Sequence, residues 1–345
     1  MIGTRLIVDK LGHGGYSTVC LVQDKDNQQY VALEINKAKS VPRETKALRT
    51  LSASSTHPGR EAIPAFLDEC HLRDISFSHL FPLDVARALS YRLAQAVAYV
   101  HSQGYVHGDI HLDNVLARLP LIFDELTIDG LYEKYGKPET IVVTRCDGKP
   151  VPRNGPARAV LPLFLGRYAE KFSLAETRPS QRDFGEAFCP ASGLRLGKDC
   201  HTPPALRGPE TDHDPEAPFT YPSDIWSLAT AIWAIIGMRA IFTTEYIPGD
   251  QILAQQVDVL GPLPSHWWYR WEGRKKFFTE DGTPAESYKR DKWQEAGDQI
   301  TEAEKVAFPE ERMTIEEVLK SEWMRDWALP DYEQSLQTCN QSSKN

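Results

Sequence analysis

The feature that most constrains the fold is a change in the spacing of apolar residues along the chain. Residues 5–35 contain apolar runs with the alternation of β-strands, and a turn is predicted at Asp24–Asn27. From Pro82 onward, apolar residues recur at intervals of three and four, which is typical of an amphipathic helix. This change predicts an α+β chain in which a small strand-rich part precedes a larger helical part.

Four further stretches have compositions that bear on their structure. Pro42 precedes a short helical pattern, and Ile225–Met238 is apolar on nearly every face, which predicts a buried helix. Residues 117–180 contain many prolines and little periodicity, so we predict an insertion on the surface of the helical part. The polar segment Asp331–Asn345 is predicted to be frayed.

A glycine-rich segment, Leu11–Val19, lies between the first two predicted strands. Glycines let the backbone of a hairpin approach phosphate oxygens. A dinucleotide-binding loop would instead open a helix, so the position between strands favours a nucleoside-triphosphate loop. On this motif alone, an ordinary glycine-rich hairpin is an equally good interpretation.

The segment His107–Asn114 follows the helical pattern and carries the strongest chemical signal. Asp109 is followed five positions later by Asn114, on a loop that begins with a histidine. This spacing is typical of phosphotransferases, in which the aspartate accepts a proton from the attacking hydroxyl and the asparagine oxygen binds magnesium. The alternative is a turn rich in aspartate and asparagine.

Later motifs keep the order expected of such an enzyme. We expect Asp183, in the string Asp183-Phe184-Gly185, to hold magnesium against the phosphates, and Gly185 to permit the backbone turn. Glu210 and Arg312 are predicted to form a buried ion pair. Asp224 is predicted to bind the backbone of the catalytic loop.

This ordered set resembles the eukaryotic protein kinases over residues 5 to about 327. The string Gly-Tyr-Ser-Thr-Val at 15–19, the segment Asp183–Phe188 and the preceding insertion resemble the SR-protein kinase family of serine/threonine kinases, particularly its divergent fungal members. The resemblance implies a bilobal protein kinase-like fold. Residues 1–80 would form a small β-rich N-lobe, residues 81–327 a mainly α-helical C-lobe with the insertion 117–180, and residues 328–345 a polar tail.

The resemblance also implies cofactors, substrate and residue roles. ATP and Mg²⁺ would be the cofactors, and serines of basic, Arg-Ser-rich proteins that act in RNA splicing would be the substrates. Asp109 would be the catalytic base, with Asn114 and Asp183 as the metal ligands. The phosphate cover and nucleotide pocket would comprise Gly12, His13, Gly14, Gly15, Ser17, Val19 and Ala32. The structural residues would be Glu44, His107, Gly185, Glu210, Asp224 and Arg312.

The sequence departs from the family in four places. Glu34 stands where the family has the lysine of strand 3, whose partner glutamate is best matched by Glu44. His111 replaces a second phosphate-facing lysine, and Gly108 replaces the arginine that senses a phosphorylated activation loop. Cys70–Leu80 is too short for the adenine-binding hinge and its strands. The hinge is therefore predicted to be missing or reduced.

These departures keep two other functions open. A catalytically impaired pseudokinase, acting as a binding or scaffold module, is favoured by Glu34, His111 and the reduced hinge. A small-molecule phosphotransferase fits the string His107-Gly108-Asp109-Ile110-His111, but Glu210, Asp224 and Arg312 are typical of protein kinases.

The charge of the chain bears on its partners. The net charge is −9, and residues 1–80 hold 10 basic and 9 acidic side chains, so residues 81–345 carry −10. This charge favours a basic protein partner over direct binding of nucleic acid, although simple solubility is an alternative. Scattered cysteines, no signal peptide and no long apolar run predict a protein of the cytoplasm or nucleus without a membrane span. The oligomeric state is not predicted.

Overall fold

The computed structural model describes residues 5–13, 17–36, 43–53, 55–63, 69–71, 80–118, 121–152, 155–165, 168–177, 179–181, 183–237, 239–242, 248–261, 263–288 and 312–342. Within these residues the chain combines short sheets with a larger set of helices. This mixture is compatible with a protein kinase-like fold. In the same residues, no helix is both long enough and apolar enough to cross a bilayer.

The three predicted strands are present, and they form an antiparallel sheet in the order β1-β2-β3. They are β1 Arg5–His13, β2 Ser17–Asp24 and β3 Gln29–Asn36. Leu21 pairs with Ala32 and Val19 pairs with Glu34. Because paired residues, and residues two apart along a strand, share a face, these four residues lie on one face of the sheet.

The core of the helical part is built on one long helix. Helix α1 is Arg43–Leu51, strand β4 is Glu69–His71, and helix α2 is Leu83–Ser102. The apolar stripe predicted after Pro82 is buried in α2, where Leu89 and Leu93 are at most 1% exposed. It packs with the helix Tyr221–Gly237 into the main hydrophobic cluster, which confirms both predicted helices.

The remaining elements follow in chain order. The strands are β5 Val115–Arg118, β6 Thr140–Val142, β7 Arg158–Val160 and β8 Pro179–Gln181. The helices are α3 Ile128–Tyr135, α4 Glu210–His213, α5 Tyr221–Gly237, α6 Gly249–Leu260, α7 Ser265–Arg270, α8 Ile315–Lys320 and α9 Leu329–Ser342. Strands β4, β5 and β8 form a second antiparallel sheet, which brings the segment before Asp183 beside the segment after Asn114.

The insertion 117–180 packs partly on the strand-rich part and partly on the helical part. Phe123, Leu131 and Leu165 of the insertion form one buried cluster with Val8, Leu21 and Tyr30 of the sheet. Ala169 and Phe172, near the end of the insertion, belong instead to the main hydrophobic cluster with α2. The insertion contacts this sheet at Leu21 and Tyr30, whereas Val19 and Ala32, on the same face but nearer the glycine-rich hairpin, do not belong to the cluster. The prediction that the insertion lies on the surface of the helical part is wrong for Phe123, Leu131 and Leu165.

Hydrogen bonds fix the insertion to the sheet. The Tyr30 amide donates to Asp124 Oδ1 at 2.8 Å, and the Tyr30 hydroxyl donates to the Leu126 carbonyl at 3.0 Å. The Tyr132 hydroxyl donates to the Val8 carbonyl at 3.0 Å. The insertion is thus held on the sheet by a few separate apolar residues and by hydrogen bonds that involve the backbone. These contacts leave no periodic pattern in the sequence, which is why the predicted position was wrong.

The C-terminal segment is a packed helix rather than a frayed end. Helix α9 follows a π-helical turn at Met324–Ala328 and continues to Ser342. Tyr332 is 7% exposed, and its hydroxyl accepts a hydrogen bond from Arg92 Nη1 at 3.2 Å. The prediction of fraying is wrong for residues 331–342, because the buried residues Tyr332 and Ser335 anchor a largely polar helix that packs on α2. Residues 343–345 lie outside the described residues.

Candidate active site

The side-chain carboxylate of Asp224, on helix α5, holds the start of the loop His107–Asn114 in place. Asp224 Oδ2 accepts the backbone N–H of His107 at 2.7 Å, and Oδ1 accepts that of Gly108 at 2.9 Å. His101 Nε2 lies 2.9 Å from the same carboxylate, which is 1% exposed. A buried carboxylate needs such partners, so the predicted contact of Asp224 with the loop is also what satisfies Asp224 itself.

Three side chains of the loop gather into one cluster. Asn114 Nδ2 donates to the Asp109 carbonyl at 2.9 Å and to Asp109 Oδ2 at 3.0 Å. His111 Nε2 lies 3.4 Å from Asp109 Oδ1 and 3.1 Å from Asn114 Nδ2. The 3₁₀ turn Leu112–Asn114 brings Asn114 back over Asp109, so the spacing of five residues becomes direct contact.

The pKa of Asp109 is lowered and the pKa of His111 is raised. Burial alone would raise the pKa of Asp109, but the neighbouring His111, with His107 and Thr202, outweighs burial and lowers it. Burial alone would lower the pKa of His111, but Asp109, followed by Asp113 and Asp183, outweighs burial and raises it. The cluster therefore favours an ionised aspartate beside a protonated histidine.

Asp183 follows a strand that pairs beside the loop, although it lies in a distant part of the sequence. It follows β8 in the left-handed backbone region, at φ 59°, and its Oδ1 accepts the Gly185 amide at 3.2 Å. Phe184 is fully buried, and its ring centroid lies 4.7 Å from that of His107. The contact between Phe184 and His107 therefore packs the second motif against the loop, and the charge of Asp183 helps to raise the pKa of His111.

The oxygen atoms at this site suit magnesium bound together with phosphates. Asn114 directs its amide nitrogen to Asp109, and within the described residues its amide oxygen accepts no hydrogen bond. Asp109 Oδ1 is buried, and its neighbour is the His111 ring, with Nε2 at 3.4 Å. No group of three His, Cys, Asp or Glu side chains in the described chain could form a complete protein cage. Mg²⁺ is commonly held by one or two carboxylates plus substrate phosphates, so Asn114 and Asp183 fit this role.

The glycine-rich segment is a hairpin between β1 and β2. Gly12 pairs with Val19 and His13 pairs with Thr18, while Ser17 begins β2. Gly14 and Gly15 lie outside the described residues. Val19 and Ala32 share the sheet face with the backbone position of Glu34.

Helix α1 carries Glu44 in its first turn and lies against the segment after Asp183. Ala47 and Leu51 of this helix pack with Phe184 and Tyr99 in one buried cluster. Glu44 is half-buried.

The ion pair between Glu210 and Arg312 is present and bidentate. Arg312 Nη1 donates to Glu210 Oε1 at 2.8 Å, and Nη2 donates to Oε2 at 2.6 Å. Both side chains are at least 92% buried. The pair joins helix α4 to residue 312, which is 102 positions away in sequence.

The acidic run at 210–216 is largely neutralised within the molecule. Besides Glu210 with Arg312, Asp212 pairs with Arg207 at 2.6 Å and Glu216 pairs with Lys198 at 2.8 Å. This run therefore offers a basic partner less free negative charge than the sequence implies.

Two side chains at the site were missed from the sequence. The Thr202 hydroxyl donates to the Gly108 carbonyl at 3.0 Å, and the Arg195 guanidinium lies beside Gly108. Neither residue lies in a recognised motif. The sequence feature that could have indicated Arg195 is Gly108. Because glycine has no side chain, the space beside residue 108 is open to the side chain of another residue.

Comparison with known proteins gives distant similarity to kinases. No protein-family model matches the chain. A serine/threonine protein kinase from two strains of Aspergillus fumigatus is 24% identical over 308 residues, covering 80% of this chain and 70% of the relative. The serine/threonine-protein kinase PKH3 of Eremothecium gossypii is 30% identical over 134 residues, covering 32% of this chain and 18% of that kinase. These similarities support a protein kinase family for the chain.

Proposed function

We propose that this chain is a serine/threonine protein kinase that transfers the γ-phosphate of ATP to a protein hydroxyl. The observation that carries the proposal is the cluster of Asp109, His111 and Asn114, against which the motif that begins at Asp183 packs through Phe184 and His107. Relatives named serine/threonine protein kinase support a function of this kind and imply use of ATP and Mg²⁺ in general. The bilobal arrangement, with the nucleotide between the strand-rich and helical parts, belongs to this proposal.

Each loop residue would have a different role in the reaction, which follows from its contacts and its pKa. Asp109, with its lowered pKa, would be ionised and would accept the proton of the attacking hydroxyl. Asn114 would fix the carboxylate through its amide nitrogen and leave its oxygen for the metal. Magnesium, held by Asn114 and Asp183, would neutralise charge on the phosphates. His111 would place positive charge where the related kinases have a lysine.

The substrate we propose is a basic protein rich in Arg-Ser, as for the SR-protein kinases, and the site of action is the cytoplasm or nucleus. The charge of −10 on residues 81–345 supports a basic partner. Since the run at 210–216 is internally paired, the attraction would be spread over the surface. Transfer to a basic peptide should then fall steeply with added salt, because exposed charges are screened. Salt-insensitive transfer, or preference for acidic peptides, would contradict this substrate class.

A second candidate is a pseudokinase that binds a partner without phosphate transfer. Glu34 favours it, because an acidic residue replaces the phosphate-facing lysine at a backbone position that pairs with Val19. Each lost charge-assisted contact is worth roughly 1.5–3 kcal/mol.

One set of measurements separates the two functions. Nucleotide affinity with and without magnesium is measured by calorimetry, and transfer to an Arg-Ser peptide is measured with labelled ATP. The proteins are wild type, Asp109→Asn, Glu34→Lys and the double variant. A kinase should lose transfer but keep nucleotide binding in Asp109→Asn, and Glu34→Lys should tighten MgATP about tenfold or more.

Two results would contradict the proposed kinase function or its assigned base. If neither wild type nor Glu34→Lys binds MgATP, the proposed kinase function fails. If transfer survives Asp109→Asn, Asp109 is not the base and the assignment of the site is wrong.

A further inference from the structure

The starting point is the space beside Gly108. Gly108 has φ +77°, a conformation that favours glycine, and a Cβ added there would lie 3.1 Å from the Glu186 carbonyl oxygen. The same atom would lie 3.6 Å from Arg195 Nη1. A side chain at position 108 would therefore enter a place already occupied by an arginine from the segment 183–202.

Arg195 connects distant points of that segment. Its Nη1 donates to the Glu186 carbonyl at 2.6 Å, and its Nη2 donates to the Asp199 carbonyl at 2.7 Å. Nη2 also forms an ion pair with the Glu186 carboxylate. The guanidinium carbon lies 5.4 Å from the ring centre of Phe188 and 5.8 Å from that of Phe219. A planar guanidinium suits both the ring stacking and the divergent hydrogen bonds.

The points that Arg195 joins are attached to the catalytic loop. Phe188 exchanges two backbone hydrogen bonds with Val106, at 2.9 and 3.1 Å. Thr202 donates to the Gly108 carbonyl at 3.0 Å. The segment thus begins at Asp183 and returns beside Asp109. The side chain of Arg195, which is 9% exposed, connects points in the middle of this segment.

We propose that Arg195 is a positioning residue that holds the segment 183–202 against the catalytic loop. It acts through Glu186, which directly follows Asp183-Phe184-Gly185, and through the segment that carries Thr202. The role in catalysis rests on the proposed kinase function, whereas the holding of the segment can be measured without catalysis.

The first test is amide hydrogen exchange on the full chain without nucleotide. Arg195→Met keeps much of the apolar stem and removes the guanidinium. The amides of Phe188 and Phe219 should exchange at least tenfold faster than in wild type, while the amides of α2 stay unchanged. The control is Arg145→Met, which removes an exposed bidentate pair with Asp147 and should leave all these amides unchanged.

Arg195→Lys is a second variant that tests the proposal even if Arg195→Met does not fold. Lysine keeps the charge but cannot make the same fork of hydrogen bonds, so it should also speed exchange at Phe188. Wild-type exchange at Phe188 and Phe219 in both Arg195 variants overturns the proposal.

A kinetic test follows if wild type transfers phosphate. Arg195→Met should lower kcat at least tenfold while the KM for MgATP stays within twofold, because the contacts of Arg195 described above include neither proposed metal ligand, Asn114 or Asp183, nor the glycine-rich hairpin. Unchanged kcat, or an equal rise in the KM for MgATP, overturns the positioning role. Absence of transfer in wild type defeats the proposed function and leaves the exchange experiment as the test of Arg195.

Discussion

Removing one partner of the Glu210–Arg312 pair should be among the most destabilising single changes in the helical part. In Glu210→Leu, the buried guanidinium loses two hydrogen bonds, at 2.8 and 2.6 Å. Its contacts with the Pro222 carbonyl, at 3.0 Å, and with the Trp226 ring, at 5.0 Å, remain. Removing one partner of a buried ion pair costs about 3–5 kcal/mol.

Urea unfolding followed by tryptophan fluorescence would measure this loss, since Trp226 reports on the site. Replacing both residues, in Glu210→Leu with Arg312→Leu, should recover much of the loss because no charge is left unpaired. The control is Asp326→Ala, which breaks an exposed pair with Arg325 and should cost less than about 1 kcal/mol.

The reasoning would be refuted by either of two results. Glu210→Leu could cost less than about 1 kcal/mol, which would mean that the stranded guanidinium is solvated easily. Alternatively, the double variant could be as unstable as the sum of the two single variants. That additivity would mean that the two side chains are not coupled.

Three further predictions concern stability. Leu131→Ala, in the fully buried insertion cluster, should lower the free energy of unfolding by about 2–5 kcal/mol in urea, whereas Leu194→Ala, at an exposed residue, should change it little. Burial, and then the charge of His266, lower the pKa of His213 to about 4, so wild type should lose up to about 3 kcal/mol as pH falls from 6.5 to 4. His213→Phe should remove most of that loss in urea titrations at several pH values. Tyr332→Ala should release α9, seen as faster amide exchange across residues 329–342 without loss of exchange protection in β1–β3.

Much of the fold could be predicted because its signals are local. Alternation over residues 5–35 and the stripe of α2 are set by which face is buried, so the period can be seen in the sequence. The insertion gave no period, because Phe123, Leu131 and Leu165 are single anchors on an otherwise irregular path. Their contacts depend on the tertiary arrangement, which the sequence does not display.

The residues of the candidate site also differ in whether they could be predicted from the sequence. Asp109 and Asn114 are joined by one short turn, so their spacing predicts their contact. Asp183 could be assigned only through its motif, since its approach depends on the pairing of β5 with β8. Arg195 and Thr202 reach Gly108 along a segment without regular structure, so nothing local marks them.

The packing of the insertion on the first sheet also decides where the chain can be divided. A cut near residue 80 follows the change of pattern in the sequence, but it would separate Leu21 and Tyr30 from the residues that bury them. An isolated fragment 1–80 would expose an apolar sheet face and would be prone to aggregate. The strand-rich part is therefore not an autonomous folding unit. Its stability depends on a segment inserted about 100 residues later in the chain, between the two halves of the catalytic motif set.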